Sequence, residues 1–113
     1  MSARAMLLWE LEILDLVKIW LPVSTPVNTG LPVITGNHSV GGALVCSTGL
    51  WLGTPTSFLY AWYVNGIPRA GLPSATSGMI IRDTDVGHVL TCRVTAINSA
   101  GEHTVTASNS VTP

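Results

Sequence analysis

The residues able to do chemistry in this 113-residue chain are few and scattered. Three histidines, His38, His88 and His103, could bind a metal or move a proton, but none stands at ligand spacing from another His, Cys or acid. Glu102-His103 begins like a zincin pair, yet no second histidine follows at that spacing, so each histidine is read as structural or superficial. Asp83-Thr84-Asp85 offers carboxylate oxygens of the kind calcium prefers, a reading that the family resemblance given below outweighs. Ten serines are candidate nucleophiles, but none sits in a Gly-x-Ser-x-Gly elbow or beside a histidine in a supporting motif. There is no phosphate loop and no convincing carboxylate pair. Asn37-His38-Ser39 matches a glycosylation sequon, which matters only in a chain secreted by a eukaryote. Two cysteines, Cys46 and Cys92, are too few for a structural zinc site or a disulfide-dense scaffold. The expectation is a protein that catalyses nothing and carries no cofactor.

Composition sets the frame for what must position these groups. Apolar residues make up 47% of the chain and charged residues 10%, which favours one packed domain with a short appendage over disorder. Five Lys and Arg against six Asp and Glu leave a net charge of −1, so no large basic face for nucleic acid can be built.

The charges and turn residues divide the chain in two. Residues 1–21 contain neither Gly nor Pro and hold the only lysine, Lys18; all 11 glycines and seven prolines follow. Pro22 and Pro26 mark the boundary, since proline cannot continue a helix. Met6, Trp9, Ile13, Leu16 and Trp20 recur at spacings of three and four, one stripe of a helix, with Glu10, Asp15 and Lys18 directed elsewhere. A strand is the competing reading, because Trp9 to Ile13 alternates; the alternation breaks at Leu14, which favours helix. Charges interrupt the stretch too often for a membrane span, and Glu10 and Glu12 break the apolar run that a secretory signal needs. Leu7, Leu8, Leu11, Leu14, Ile19 and Leu21 lie off the main stripe, and so wide an apolar surface calls for a partner. Another protein chain is favoured over packing on its own domain or on a membrane surface.

The rest is expected to be all-β. Residues 22–30 read as a linker and 31–113 as an antiparallel sandwich of about seven strands, with turn signals at suitable intervals. The expected strands are Leu31–Thr35, Ala43–Ser47, Ser57–Val64, Ser77–Ile81, His88–Ile97 and His103–Val111, with one more completing the hairpin at Asn65-Gly66. In Ser57–Val64, Phe58, Tyr60, Trp62 and Val64 share one face; in the next long strand Leu90, Cys92, Val94 and Ala96 do. Trp62 and Tyr60 are therefore assigned to the core; Tyr63 is the one ring left free to stack on a sugar once Trp51 is put at the core's edge, as the family resemblance given next implies.

Cys46, Trp62 and Cys92 fall in the order in which immunoglobulin-type sandwiches pin their two sheets across an indole. Pro32-Val33-Ile34-Thr35-Gly36, the run from Val40 to Gly49 containing Gly41-Gly42 and Cys46-Ser47-Thr48-Gly49, and Trp51 together resemble one repeat of the bacterial and phage immunoglobulin-like domains. So do Tyr60-Ala61-Trp62-Tyr63-Val64-Asn65-Gly66-Ile67-Pro68, Asp85-Val86-Gly87-His88, and the run from Cys92 to Gly101. The resemblance spans roughly residues 26–111 and misses the first 21. Two departures stand out. Antibody-type domains carry tyrosine two residues before the second cysteine, where Leu90 stands, and Leu72-Pro73-Ser74-Ala75-Thr76 replaces the family's frequent Gly-Ala-Thr run.

The resemblance implies an immunoglobulin-like sandwich with Trp62 as its core pin, Asp85 and Gly87 as turn anchors, and a Cys46–Cys92 bridge across the sheets. With no signal peptide the chain is expected to fold in a reducing cytosol, so the bridge and a pair of buried free thiols both stay open. The family is specific for fold and weak for function. It often occurs as tandem repeats, whereas a single copy behind an apolar segment suggests an accessory subunit. The functional expectation is a phage virion accessory protein, a capsid decoration or tail-associated subunit assembled in the host cytoplasm. Residues 1–21 would dock it on the major capsid or tail protein, or on copies of itself, through Met6, Trp9, Ile13, Leu16 and Trp20. The domain would be displayed outward, with weak host-surface glycan contacts, no nucleic acid and no membrane span. The alternative is a bacterial surface adhesion or carbohydrate-binding module.

Overall fold

A computed structural model describes residues 24–69 and 72–113. The expected anchor, Met6, Trp9, Ile13, Leu16 and Trp20 included, lies outside the described residues, as does the helix-or-strand question for residues 1–21. Nine strands are described: β1 (Val27–Gly30), β2 (Ile34–Gly36), β3 (Ala43–Cys46), β4 (Leu50–Leu52), β5 (Ser57–Val64), β6 (Ile67–Pro68), β7 (Gly78–Ile80), β8 (Leu90–Asn98) and β9 (Gly101–Thr106). Every strand pairing is antiparallel, and among the described residues the only helical element is a 3₁₀ turn at Asp83–Asp85. The fold is all-β.

One layer is the sheet β6-β5-β8-β9; the other is β2-β3-β7, extended by the β1-β4 pair. The core lies between them. From the first layer come Tyr60, Trp62, Leu90, Cys92 and Val94, and from the second Ile34, Leu44, Cys46 and Met79. Period-two alternation produces this directly: Leu90, Cys92, Val94 and Ala96 of β8 are all fully buried, with the intervening residues turned away. The β5-β8 pair is the longest ladder, running from Ser57 opposite Ile97 to Val64 opposite Leu90. Asn65-Gly66 closes the β5-β6 hairpin with positive φ at both residues (48° and 81°), as a tight two-residue turn requires.

The structure departs from the sequence reading in its first and last strands. Val27–Gly30, within the stretch read as linker, forms β1 against β4, and Leu50–Leu52 is a strand the sequence did not announce. Leu31–Thr35 is not one strand, because Pro32 has no N–H to give to a ladder. Pairing resumes at Ile34, opposite Cys46, four residues beyond Gly30 opposite Leu50 on each side, so β1–β2 and β3–β4 are two arms of one interrupted hairpin. Gly49 (φ 75°) sits at the interruption, where a Cβ would lie 2.4 Å from the Gly30 carbonyl oxygen.

The last strand ends at Thr106 instead of running on to Val111. There the chain crosses to the other layer. Ser108 N–H bonds the Pro32 carbonyl, and the Asn109 amide takes both main-chain groups of Ile34, accepting from its N–H (2.8 Å) and donating to its C=O (2.9 Å). Val111 then returns to pair with Leu90. One asparagine thereby stitches the C-terminal segment to β2.

Candidate functional site

Cys46 on β3 and Cys92 on β8 are both buried, both thiols are free, and each approaches the other from the facing layer. Trp62 lies directly opposite Cys92 in the β5-β8 register and is only 1% exposed. Its indole N–H is buried with no hydrogen-bond partner. Contact with the Cys46 thiol, reinforced by burial, pushes Cys92 well above the usual thiol range. A sulfur so placed is shielded from both ionisation and reagents, which suits packing and not nucleophilic work.

Asp85 ends the 3₁₀ turn and is buried. One carboxylate oxygen accepts from the Arg82 main-chain N–H (2.8 Å) and from Arg69 Nη2 (2.6 Å), forming an ion pair with both side chains largely out of water. Arg69 also donates from Nη1 to the Ile80 carbonyl, on the outer edge of β7. Asp85 thus ties three segments together: its own turn, the end of the β5-β6 hairpin and the β7 edge. Gly87, at φ 79°, donates its N–H to the Pro113 carbonyl, drawing the chain's last residue onto the same turn. Arg69 escaped the sequence reading. Its signal was indirect: a buried acid requires a cation, and the described residues hold only three arginines.

Beside this ion pair lies an open groove of about 430 Å³, lined by Val64, Asn65, Ile67, Arg82, Thr84 and His88 among others. Asn65 Oδ1 accepts from Val89 N–H (2.8 Å), so its Nδ2 donates to His88 Nδ1 (2.7 Å) and that imidazole nitrogen serves as acceptor. His103 is elsewhere: its Nδ1 donates to the Pro26 carbonyl (3.0 Å) and its ring stands edge-on to Trp51. His38 is exposed in the β2-β3 connection. The three histidines are not brought together, and among the described residues no group of three or more His, Cys, Asp or Glu is placed to hold a metal ion. The aromatic rings are likewise dispersed. Tyr60 and Trp62 are core, Trp51 leans on Phe58, and Tyr63 is capped by the Arg93 guanidinium 4.3 Å from its ring centre.

A broader surface stands out on the outward side of the β1–β4 hairpin. Residues 19–68 contain no Asp, Glu, Lys or Arg. Along 27–35, with a register irregularity between Asn28 and Gly30, Val27, Thr29, Leu31, Val33 and Thr35 are exposed, while Pro32 and Ile34 are buried. On the other arm Val45 is exposed, and Leu50 (69% exposed) and Leu52 (61%) flank the inward-turned Trp51. Val27 stands opposite Leu52, and the Leu50 side chain covers Gly30. An uncharged apolar face of this kind is what the centre of a protein interface offers, since charge is depleted there. The missing charges were visible in the sequence; which side chains face outward was not.

No family model matches the chain, and none of the curated proteins is similar to it.

Proposed function

We propose that this protein is a non-enzymatic phage virion accessory subunit, a capsid decoration or tail-associated protein that docks through residues 1–21 and displays an immunoglobulin-like sandwich. The resemblance of residues 26–111 to phage and bacterial immunoglobulin-like domains supports the class. The observation that carries the assembly role is the uncharged run 19–68, whose hairpin turns Val27, Val45, Leu50 and Leu52 outward directly after an apolar leading segment. Interfaces draw most of their energy from a few buried aromatic and aliphatic anchors, and the spacing of Trp9, Ile13, Leu16 and Trp20 in the sequence supports that role for them. Repetition of the subunit on a lattice turns weak outward contacts into avidity.

Co-sedimentation with assembled phage particles tests this reading. The full chain pellets with particles, and deleting residues 1–21 leaves the protein in the supernatant with the near-ultraviolet circular dichroism of a packed Trp62 intact. Pelleting of the truncated, folded protein contradicts the docking role.

The groove beside Arg69 and Asp85 favours a second reading, a bacterial adhesion or carbohydrate-binding module, because the polar residues Asn65, Arg82 and His88 line it. Binding of the isolated protein on a glycan array, lost in Arg82→Ala, decides for it.

A further inference from the structure

We infer that the groove beside the Arg69–Asp85 pair binds a sugar carrying one negative charge, a uronic acid held by its carboxylate. The inference deepens the reading of that groove as a glycan site and rests on it. At about 430 Å³ the groove falls within the usual range for small-molecule sites, about 300–1,000 Å³. Val64, Ile67 and Pro68 are its apolar lining, but no Trp, Tyr or Phe lines it. A sugar ring therefore has no aromatic face to stack on, and polar groups must supply most of the affinity.

Those polar groups are mainly donors. Val89 N–H donates to Asn65 Oδ1, so the Asn65 amide nitrogen must donate to His88 Nδ1. The proton of the neutral imidazole is then on Nε2, which has no partner among the described residues. Arg82 is exposed, and a guanidinium offers five N–H donors and no acceptor. Among the described residues that guanidinium makes no hydrogen bond and no ion pair. Its main chain is nevertheless fixed, because Asp85 holds the Arg82 N–H at 2.8 Å. Such a lining asks for a ligand rich in acceptors.

Charge selects the acceptor. Arg69 at 2.6 Å neutralises Asp85, which leaves Arg82 as the one uncompensated charge among the lining residues. One positive charge matches one carboxylate, whose two oxygens fit the planar guanidinium fork. A phosphate, at about −1.5 to −2, would exceed that charge and lie against Asp85.

Titration of the isotope-labelled full chain, followed by its amide resonances at neutral pH, tests this. Methyl glucuronide is expected to shift the amides of Thr84, Asp85 and His88 to saturation. Methyl glucoside, which lacks the carboxylate, should bind about 10-fold or more weakly, the equivalent of about 1.4 kcal/mol. Arg82→Gln should lose the same factor for the glucuronide, while Arg93→Gln, whose guanidinium lies over Tyr63 outside the groove, binds as wild type. The dispersion of the β5 and β8 amides reports the fold of each variant. Should Arg82→Gln lose it, Arg82→Lys, which keeps the charge and removes the fork, takes its place with a loss in the same direction. Equal affinity for glucoside and glucuronide overturns the inference and leaves the groove a glycan site; binding of neither removes both. Acetate binding as tightly as the glucuronide also overturns it, by showing a bare anion site, and so does glucuronide affinity undiminished in the Arg82 variant.

Discussion

Arg69 Nη2 sits 2.6 Å from Asp85 Oδ2, and the same carboxylate oxygen accepts the Arg82 N–H. This pairing holds the β5-β6 hairpin, the 3₁₀ turn and the β7 edge at one corner of the sandwich. Removing one partner of a buried pair leaves the other charge without compensation, which costs more than the pair itself contributes.

Asp85→Ala is therefore expected to destabilise the fold by about 3 kcal/mol or more in urea denaturation. Arg69→Met, which keeps the length and removes the charge, should also be destabilising by stranding the carboxylate. The double variant should cost less than the sum of the two, because neither leaves a lone charge. Additive losses would show that the pairing contributes nothing specific.

Asn109→Ala removes both side-chain bonds to Ile34 and leaves its N–H without a partner in a partly buried setting. The expected loss is about 1–3 kcal/mol. Faster amide exchange confined first to Ile34 and the segment 107–111 would identify the stitch as local; a silent variant would show that water replaces it.

Oxidative refolding is expected to join Cys46 to Cys92, giving a monomer lighter by two hydrogens, because the two thiols already meet across the core. By the chain-entropy argument the bridge adds about 4 kcal/mol. The reduced form should behave differently with pH. The thiol of Cys92 is held above its usual 9.0 in the fold, so folded protein keeps a proton that unfolded chain releases. The stability this represents is complete below about pH 9 and is lost progressively above it. Urea midpoints of reduced protein should fall as pH rises above 9, where unfolded chain releases both thiol protons and the folded pair keeps one, and Cys92→Ala should flatten the slope; an unchanged slope would place its cause elsewhere.

How far the sequence could be read depended on where each stabilising contact comes from. Ser57–Val64 matches β5 residue for residue, because unbroken alternation around Tyr60 and Trp62 leaves one way to bury that face. The β8 face of Leu90, Cys92, Val94 and Ala96 was legible for the same reason. The β1 and β4 strands were not, since Pro32 and Gly49 read locally as breaks and only the paired arm reveals a single interrupted hairpin. Asn109 was hidden because its partner is Ile34, 75 residues away. Arg69 was hidden because nothing local links it to Asp85. The outward apolar face lay between these cases: its lack of charge is plain in residues 19–68, but its orientation is a property of the fold.

The central proposal is that residues 1–21 fasten this protein to a phage particle. It is tested most directly by titrating the full chain and its Trp9→Glu/Trp20→Glu variant onto phage particles and counting bound copies. Each lost aromatic anchor should cost about 2 kcal/mol, so the double variant is expected to bind about 1,000-fold more weakly while its β5 and β8 amides stay protected. Equal occupancy of wild type and double variant at the same concentration would contradict the account.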